Sequence, residues 1–202
     1  MNIAILGTGT VGTALATALV EAGHTVTFGS RTPERSGLAA PAAGYSDAVA
    51  SADVVINATP GGEAIELLRS IGADVLGDRV LLDVSNAVGQ DMTLIYPNDS
   101  VGRLIQQEFP GLKVVKSLNT LNTSVMTNPS GLSAPTTVFV SGDDADAKAT
   151  VSSLLADLGW PASGVIDLGG IETARAPEHY FYLFFATLQA VRTPTFNIAV
   201  TR

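Results

Sequence analysis

Three glycines at fixed spacing, in Gly7-Thr8-Gly9-Thr10-Val11-Gly12, are the residues of this chain best suited to chemistry. In a G-x-G-x-x-G turn the first glycine permits a tight reversal and the second lets backbone approach a pyrophosphate. The third lets a helix pack closely on a sheet, with its N-terminal amides aimed at the anion. The motif carries weight only between a strand and a helix. Both neighbours are present: the apolar run Ile3-Ala4-Ile5-Leu6 precedes it, and the Ala-rich stretch Thr13 to Ala22 follows.

The next strand, Thr25-Val26-Thr27-Phe28-Gly29, ends where an NAD-binding chain places an Asp or Glu on the ribose 2′-hydroxyl, about 20 residues past the glycines. Here Ser30-Arg31-Thr32 follows instead. Two hydroxyls and a guanidinium donate to a 2′-phosphate that a carboxylate would repel, so NADP(H) is favoured over NAD(H). Arg35 adds a further positive charge if the following loop curls back.

Further polar groups follow later strands. Thr59-Pro60 closes one strand at the carboxyl edge, where open α/β sheets bind ligands, and it reads equally well as a structural turn. Asn86 follows the next strand and can meet a cofactor or cap a turn. Asn119 and Thr120 follow a third strand, Lys113 to Ser117. Lys116 reads as an edge lysine in solvent or paired with a carboxylate. His24 reads as structural, and His179 as a partly buried, hydrogen-bonded histidine. Asp143-Asp144-Ala145-Asp146 reads as a helix start rather than a metal site.

The elements that must position these groups alternate. Strands are predicted at Asp53 to Ala58, Arg79 to Val84, Lys113 to Ser117, Thr136 to Ser141 and Ser163 to Leu168. Helices are predicted at Glu63 to Ile71, Ser100 to Phe109 and Ala145 to Leu158, with Gly72, Pro110 and Gly159 as stops. Thr32 to Ser51 is irregular, with a short strand near Ala43 to Tyr45. This pattern predicts an α/β, Rossmann-like, doubly wound and largely parallel sheet with a short C-terminal helical extension. Residues 1–168 form the nucleotide-binding unit. Residues 169–202 form a helix and tail that do not fold independently. That helix gathers Tyr180, Phe181, Tyr182, Phe184 and Phe185, and aromatics facing every side require burial all round. A second subunit is the favoured cover and a bound planar ligand the next.

Composition narrows the class. The 202 residues are 46% hydrophobic and 15% charged, with a net charge of −8 and no cysteine. The acidic balance argues against nucleic acid, and the missing thiols exclude disulfides, thiolate metal sites and cysteine nucleophiles. Two histidines make a histidine metal cluster improbable. The first residues lack a basic stretch, and His179 to Val191 is too short to span a bilayer. The expectation is a cytoplasmic protein with no membrane partner.

Taken together these segments resemble the NADP oxidoreductases that use the deazaflavin coenzyme F-420, relatives of the NADP-binding domains of membrane ferric reductases. The resemblance rests on the glycine turn with Gly29-Ser30-Arg31, on Asn57-Ala58-Thr59-Pro60, on Asp83-Val84-Ser85-Asn86 and on Val114-Val115-Lys116-Ser117-Leu118-Asn119-Thr120. It continues through Phe139 to Asp144, Asp167-Leu168-Gly169 and Ala174-Arg175. It implies NADPH held by Thr8 to Gly12, with Ser30 and Arg31 at the 2′-phosphate and Thr59-Pro60 lining the cleft. It also implies that Asn119, Thr120, Leu121 and Thr123 flank the nicotinamide.

The implied reaction is hydride transfer between NADPH and a planar deazaflavin (coenzyme F-420) or flavin-type small-molecule acceptor, and the aromatic C-terminal helix favours a homodimer. Such a step needs stacked rings and a dry site but no nucleophile, so no side chain is assigned a catalytic role. The alternatives are reduction of a small carbonyl or imine compound or of ferric chelates, and a non-catalytic NADP(H) sensor.

Overall fold

The computed structural model describes residues 1–34 and 37–201. Among these residues eight strands form one sheet: β1 (Asn2–Leu6), β2 (Thr25–Gly29), β3 (Ala42–Ala43), β4 (Val54–Asn57), β5 (Val80–Asp83), β6 (Lys113–Ser117), β7 (Val138–Gly142) and β8 (Val165–Asp167). Their order is β3-β2-β1-β4-β5-β6-β7-β8. Strands β1 to β6 run parallel, β7 runs against β6, and β8 follows β7. This is the doubly wound arrangement that the alternation of elements predicts, with a reversal at its far side.

The helices are α1 (Thr10–Glu21), α2 (Tyr45–Ala50), α3 (Ala64–Ile71), α4 (Ala73–Leu76), α5 (Val101–Glu108), α6 (Thr123–Met126), α7 (Ala145–Asp157) and α8 (Arg175–Val191). Successive strand residues point to opposite faces, so each strand feeds two cores. Ile3, Ile5, Val54, Ile56, Leu82 and Val115 pack with α1, α6 and α7. Ala4, Leu6, Val55, Leu81 and Val114 pack with α2, α3, α4 and α5. Burial on both faces explains why the strands read as continuous apolar runs.

Three differences from the sequence reading have local causes. Helix α1 begins at Thr10, three residues before the Ala-rich stretch, because Gly9 itself is the N-cap. The irregular segment holds α2 as well as β3, since Ala48 and Val49 bury one side of a helix too short to show a period. Lys116 is on an interior strand, between β5 and β7, not at an edge.

Past Gly169 the chain does not leave the fold at once. Ile171 and Ala174 of a short 3-10 turn are buried in the same layer as α5. Only then does α8 depart, with Pro177 and Glu178 as its buried residues. Tyr182 is 51% exposed and Leu183 57% exposed, so the single chain does not supply the all-round burial that this helix's aromatics require. The tail returns afterwards: Phe196 stacks on Phe184 with centroids 5.0 Å apart, and the Thr137 amide donates to the Ile198 carbonyl at 3.1 Å. Among the described residues, no helix is long and apolar enough to cross a membrane.

Candidate functional site

A cleft of about 810 Å³ opens at the carboxyl edge of β1, β2 and β4. Its walls are the Gly7-Thr8-Gly9 turn, Gly29 to Thr32, Tyr45, Ala58 to Pro60, and Glu63, Glu66 and Leu67 from the α3 side. A hollow of about 890 Å³ lies between α5 and the start of α8, but no residue of the glycine turn lines it. The smaller cleft therefore holds the nucleotide-binding features.

The three glycines divide their work as the spacing predicts. Gly7 has φ +107°, and a Cβ there would stand 2.8 Å from the Ala58 carbonyl oxygen. At Gly12 a Cβ would stand 2.1 Å from the Gly7 carbonyl oxygen, so α1 and the turn touch backbone to backbone. A Cβ on Gly9 would meet nothing within 4 Å, because that side of Gly9 is open. Among the described residues helix α1 has no side-chain N-cap, and no acidic residue is in its first turn, which suits its terminal amides to an anion. An open backbone approach beside unclaimed amides is the shape that a pyrophosphate requires, so the residues present fit the dinucleotide.

At the far end of the cleft the Ser30 hydroxyl accepts from the Thr32 amide at 3.1 Å. That fixes the strand-end turn and directs the exposed Arg31 outward. Among the described residues Arg31 makes no ion pair or hydrogen bond. Arg35 lies outside the described residues. Of the other expected site residues, Gly7, Thr8, Gly9, Ser30, Arg31, Thr32, Thr59 and Pro60 line the cleft, and Thr10, Val11 and Gly12 form the first turn of α1 behind it.

The remaining expected residues cluster past β5 and β6, outside those walls. Asn119 donates to the Asn86 side-chain oxygen at 2.9 Å and to the Pro177 carbonyl at 3.0 Å, while Asn86 donates back to the Asn119 carbonyl at 2.8 Å. Thr120 is buried beside them. Leu118, just before, is a buried leucine at φ +64°, a strained backbone that commonly marks a functional turn. Leu121 is part of the core, and Thr123 is the first residue of α6.

Beneath these turns runs a polar row that the sequence reading missed. Asn57, Asp83 and Lys116 are in register on β4, β5 and β6 and face the α5 side, and all three are fully buried. The Asn57 amide donates to Asp83 Oδ1 at 2.9 Å. The Lys116 ammonium donates to Asp83 Oδ2 at 2.8 Å and to the Ser85 carbonyl, and lies 3.0 Å from Glu178 Oε1. Burial alone would strip the Lys116 proton, but Asp83 and Glu178 outweigh it and hold the lysine above its ordinary pKa. Lys116 thus pairs with carboxylates, as one of its readings allowed, without touching solvent. Asn57 and Asp83 end their strands and Lys116 stands one residue before the end of β6, and only the pairing register puts the three on one rung.

The histidines and acidic run settle simply. His24 joins the Met1 amino group at 3.3 Å and Asp157 at 3.0 Å, a structural role. Asp144 caps α7 through the Ala147 amide at 2.7 Å. His179 is half-buried as expected, but its Nε2 finds no hydrogen-bond partner among the described residues. It lines the hollow beside α8 instead.

Comparison with known proteins agrees with this geometry. Residues 2–87 match the family model for coenzyme F420-dependent NADP oxidoreductases. A solved candidate F420-dependent NADP reductase from Arthrobacter sp. FB24 is 41% identical, with a TM-score of 0.93 and 100% of both chains covered. The metalloreductase STEAP3 of Rattus norvegicus is 30% identical over 182 residues, 88% of this chain but 36% of that protein, so the chain spans about a third of this relative's length. An imine reductase from Aspergillus terreus, solved with NADPH4, shares the fold at 20% identity and a TM-score of 0.69, over 95% of this chain and 62% of that one. The chain belongs to the coenzyme F420-dependent NADP oxidoreductase family and is an enzyme that uses NADP(H).

Proposed function

We propose that this enzyme moves a hydride between NADPH and a planar deazaflavin, coenzyme F-420, or a flavin-type ring lying between the carboxyl edge of the sheet and α8. The observation that carries the acceptor class is the full-length likeness to the Arthrobacter protein. NADP(H), when bound, supplies hydride at nicotinamide C4. The chain's part is to hold and orient. Thr8 to Gly12 receive the pyrophosphate on backbone amides, and Ser30, Arg31 and Thr32 receive the 2′-phosphate. Thr59 and Pro60 wall the cleft. Asn86, Asn119, Thr120, Leu121 and Thr123 shape the nicotinamide end, and α8 closes over the acceptor and keeps water out. The same helix, with Tyr182, Leu183 and Val191 exposed, supports a homodimer in which a second copy covers it.

The test is NADPH oxidation by the purified protein, followed at the nicotinamide band with coenzyme F-420, FMN, FAD, riboflavin, ferric chelates and small imines. Deazaflavin or flavin turnover supports the reading. Turnover with ferric chelates alone transfers the protein to the metalloreductase reading that its likeness to STEAP3 favours. NADPH binding without turnover overturns the acceptor assignment.

A further inference from the structure

The buried polar row continues beyond the strands at both ends. On the cleft side the Thr59 hydroxyl, whose residue lines the cleft, donates to Asn57 Oδ1 at 2.6 Å. At the other end the two oxygens of Glu178 accept from the Val101 amide at 2.9 Å and the Gly102 amide at 3.2 Å, which caps the N-terminus of α5 from α8. The result is one unbroken chain, Thr59–Asn57–Asp83–Lys116–Glu178, from cofactor cleft to C-terminal helix. Every member after Thr59 is at least 97% buried. No part of it except Thr59 lines the cleft.

Buried charges are costly, and apolar residues of similar volume would hold a sheet together as well or better. A fully satisfied charged chain is stiff and directional, and it admits few alternative packings. Its one anchor on α8 is in the first turn of a helix that buries little else. Removing that anchor would leave the first turn of the helix tied by the Asn119–Pro177 hydrogen bond and by Arg175, whose guanidinium donates to the Asn98 carbonyl at 3.3 Å.

We propose that Glu178 and Lys116 are positioning residues for hydride transfer, locking the first turn of α8 to the cofactor cleft and so setting the donor–acceptor distance from outside the site. The proposal rests on the reading that α8 walls the acceptor. Neither side chain touches the reacting rings, and neither gives or takes a proton in the reaction.

The experiment compares wild type with Glu178→Gln and Glu178→Asp. The first keeps the shape and loses the charge. The second keeps the charge on an arm one methylene shorter, and in both variants Lys116 retains Asp83 and the Ser85 carbonyl as partners. Three quantities are read: NADPH Kd, the single-turnover hydride rate with whichever acceptor wild type uses, and amide exchange of residues 175–182 with and without NADPH. A misplacement of about 1 Å costs on the order of a hundredfold in rate. Hydride transfer should therefore slow by roughly ten- to a hundredfold while NADPH Kd stays within about twofold. NADPH should protect residues 175–182 in wild type and not in Glu178→Gln.

Wild-type hydride rates in both variants would overturn the proposal, and so would NADPH affinity falling in step with rate. If wild type reduces no acceptor, the functional reading fails by itself and exchange alone decides the coupling. Absence of NADPH-dependent protection in wild type then overturns it.

Discussion

Asn86 and Asn119, 33 residues apart in sequence, exchange two hydrogen bonds across the tips of β5 and β6, and Asn119 adds a third to the Pro177 carbonyl at the start of α8. The sequence leaves Asn86 an open choice between cofactor contact and turn structure, and the family resemblance points Asn119 toward nicotinamide or acceptor; in the protein alone each occupies the other. Asn119→Ala deletes a donor that serves two acceptors and should cost about 1–3 kcal/mol. Asn119→Asp turns that donor into an anion facing two oxygens and should cost more. Urea midpoints give the order, and equal losses would mean that the amide hydrogens carry none of the effect.

Arg31 is exposed at the end of the cleft and has no competing partner among the described residues. Arg31→Ala should weaken NADPH by roughly ten- to a hundredfold, the value of one to two charge-assisted hydrogen bonds, and leave NADH nearly unchanged. Fluorescence titration with both dinucleotides tests it. Parallel losses would place the guanidinium somewhere other than at the 2′-phosphate.

Gly9 and Gly12 separate binding from folding. Gly9→Ala meets no protein atom within 4 Å, so its stability should change by no more than about 1 kcal/mol while both dinucleotides bind less tightly. Gly12→Ala forces a methyl to 2.1 Å from a carbonyl oxygen and should cost about 1–3 kcal/mol or more through strain. Thermal melting alongside NADPH titration distinguishes them. A stable Gly12→Ala would contradict the backbone contact described above.

Lys116→Met leaves Asp83 and Glu178 buried without their common cation and should destabilise by about 3–5 kcal/mol at neutral pH. Because the folded lysine has a raised pKa, its contribution is complete below the ordinary lysine value of about 10.4 and is lost as pH climbs through the higher folded value. The gap between wild type and variant should therefore stay constant from neutral pH to about pH 9 and narrow above about pH 10.4. A gap that stays constant above about pH 10.4 would assign the effect to a different group.

What the sequence made legible was local. Lys113–Ser117 matches its predicted strand end to end, and the glycine turn, α3, α5 and α7 are within a residue or two of prediction, because capping and punctuation act over three or four residues. Leu118 at φ +64° was not legible, since nothing about a leucine announces left-handed backbone. The Asn57, Asp83 and Lys116 row was not legible either. Its members are 26 and 33 residues apart, and only the pairing register of β4, β5 and β6 places them together. Arg31 and the cleft could be read early because one strand end and one turn define them. The hydrogen bonds that join Asn86, Asn119 and Pro177 could not, because two strand ends and a distant helix build them.

The two outermost strands have a consequence of their own. β3 spans two residues and β8 three, so neither flank of the sheet offers a ladder long enough to recruit a strand from another molecule. Open sheets with long flanks invite continuation into fibrils, and stubs this short blunt that route. Whatever self-association this protein undergoes, adding strand to strand is the least favoured way for it to begin.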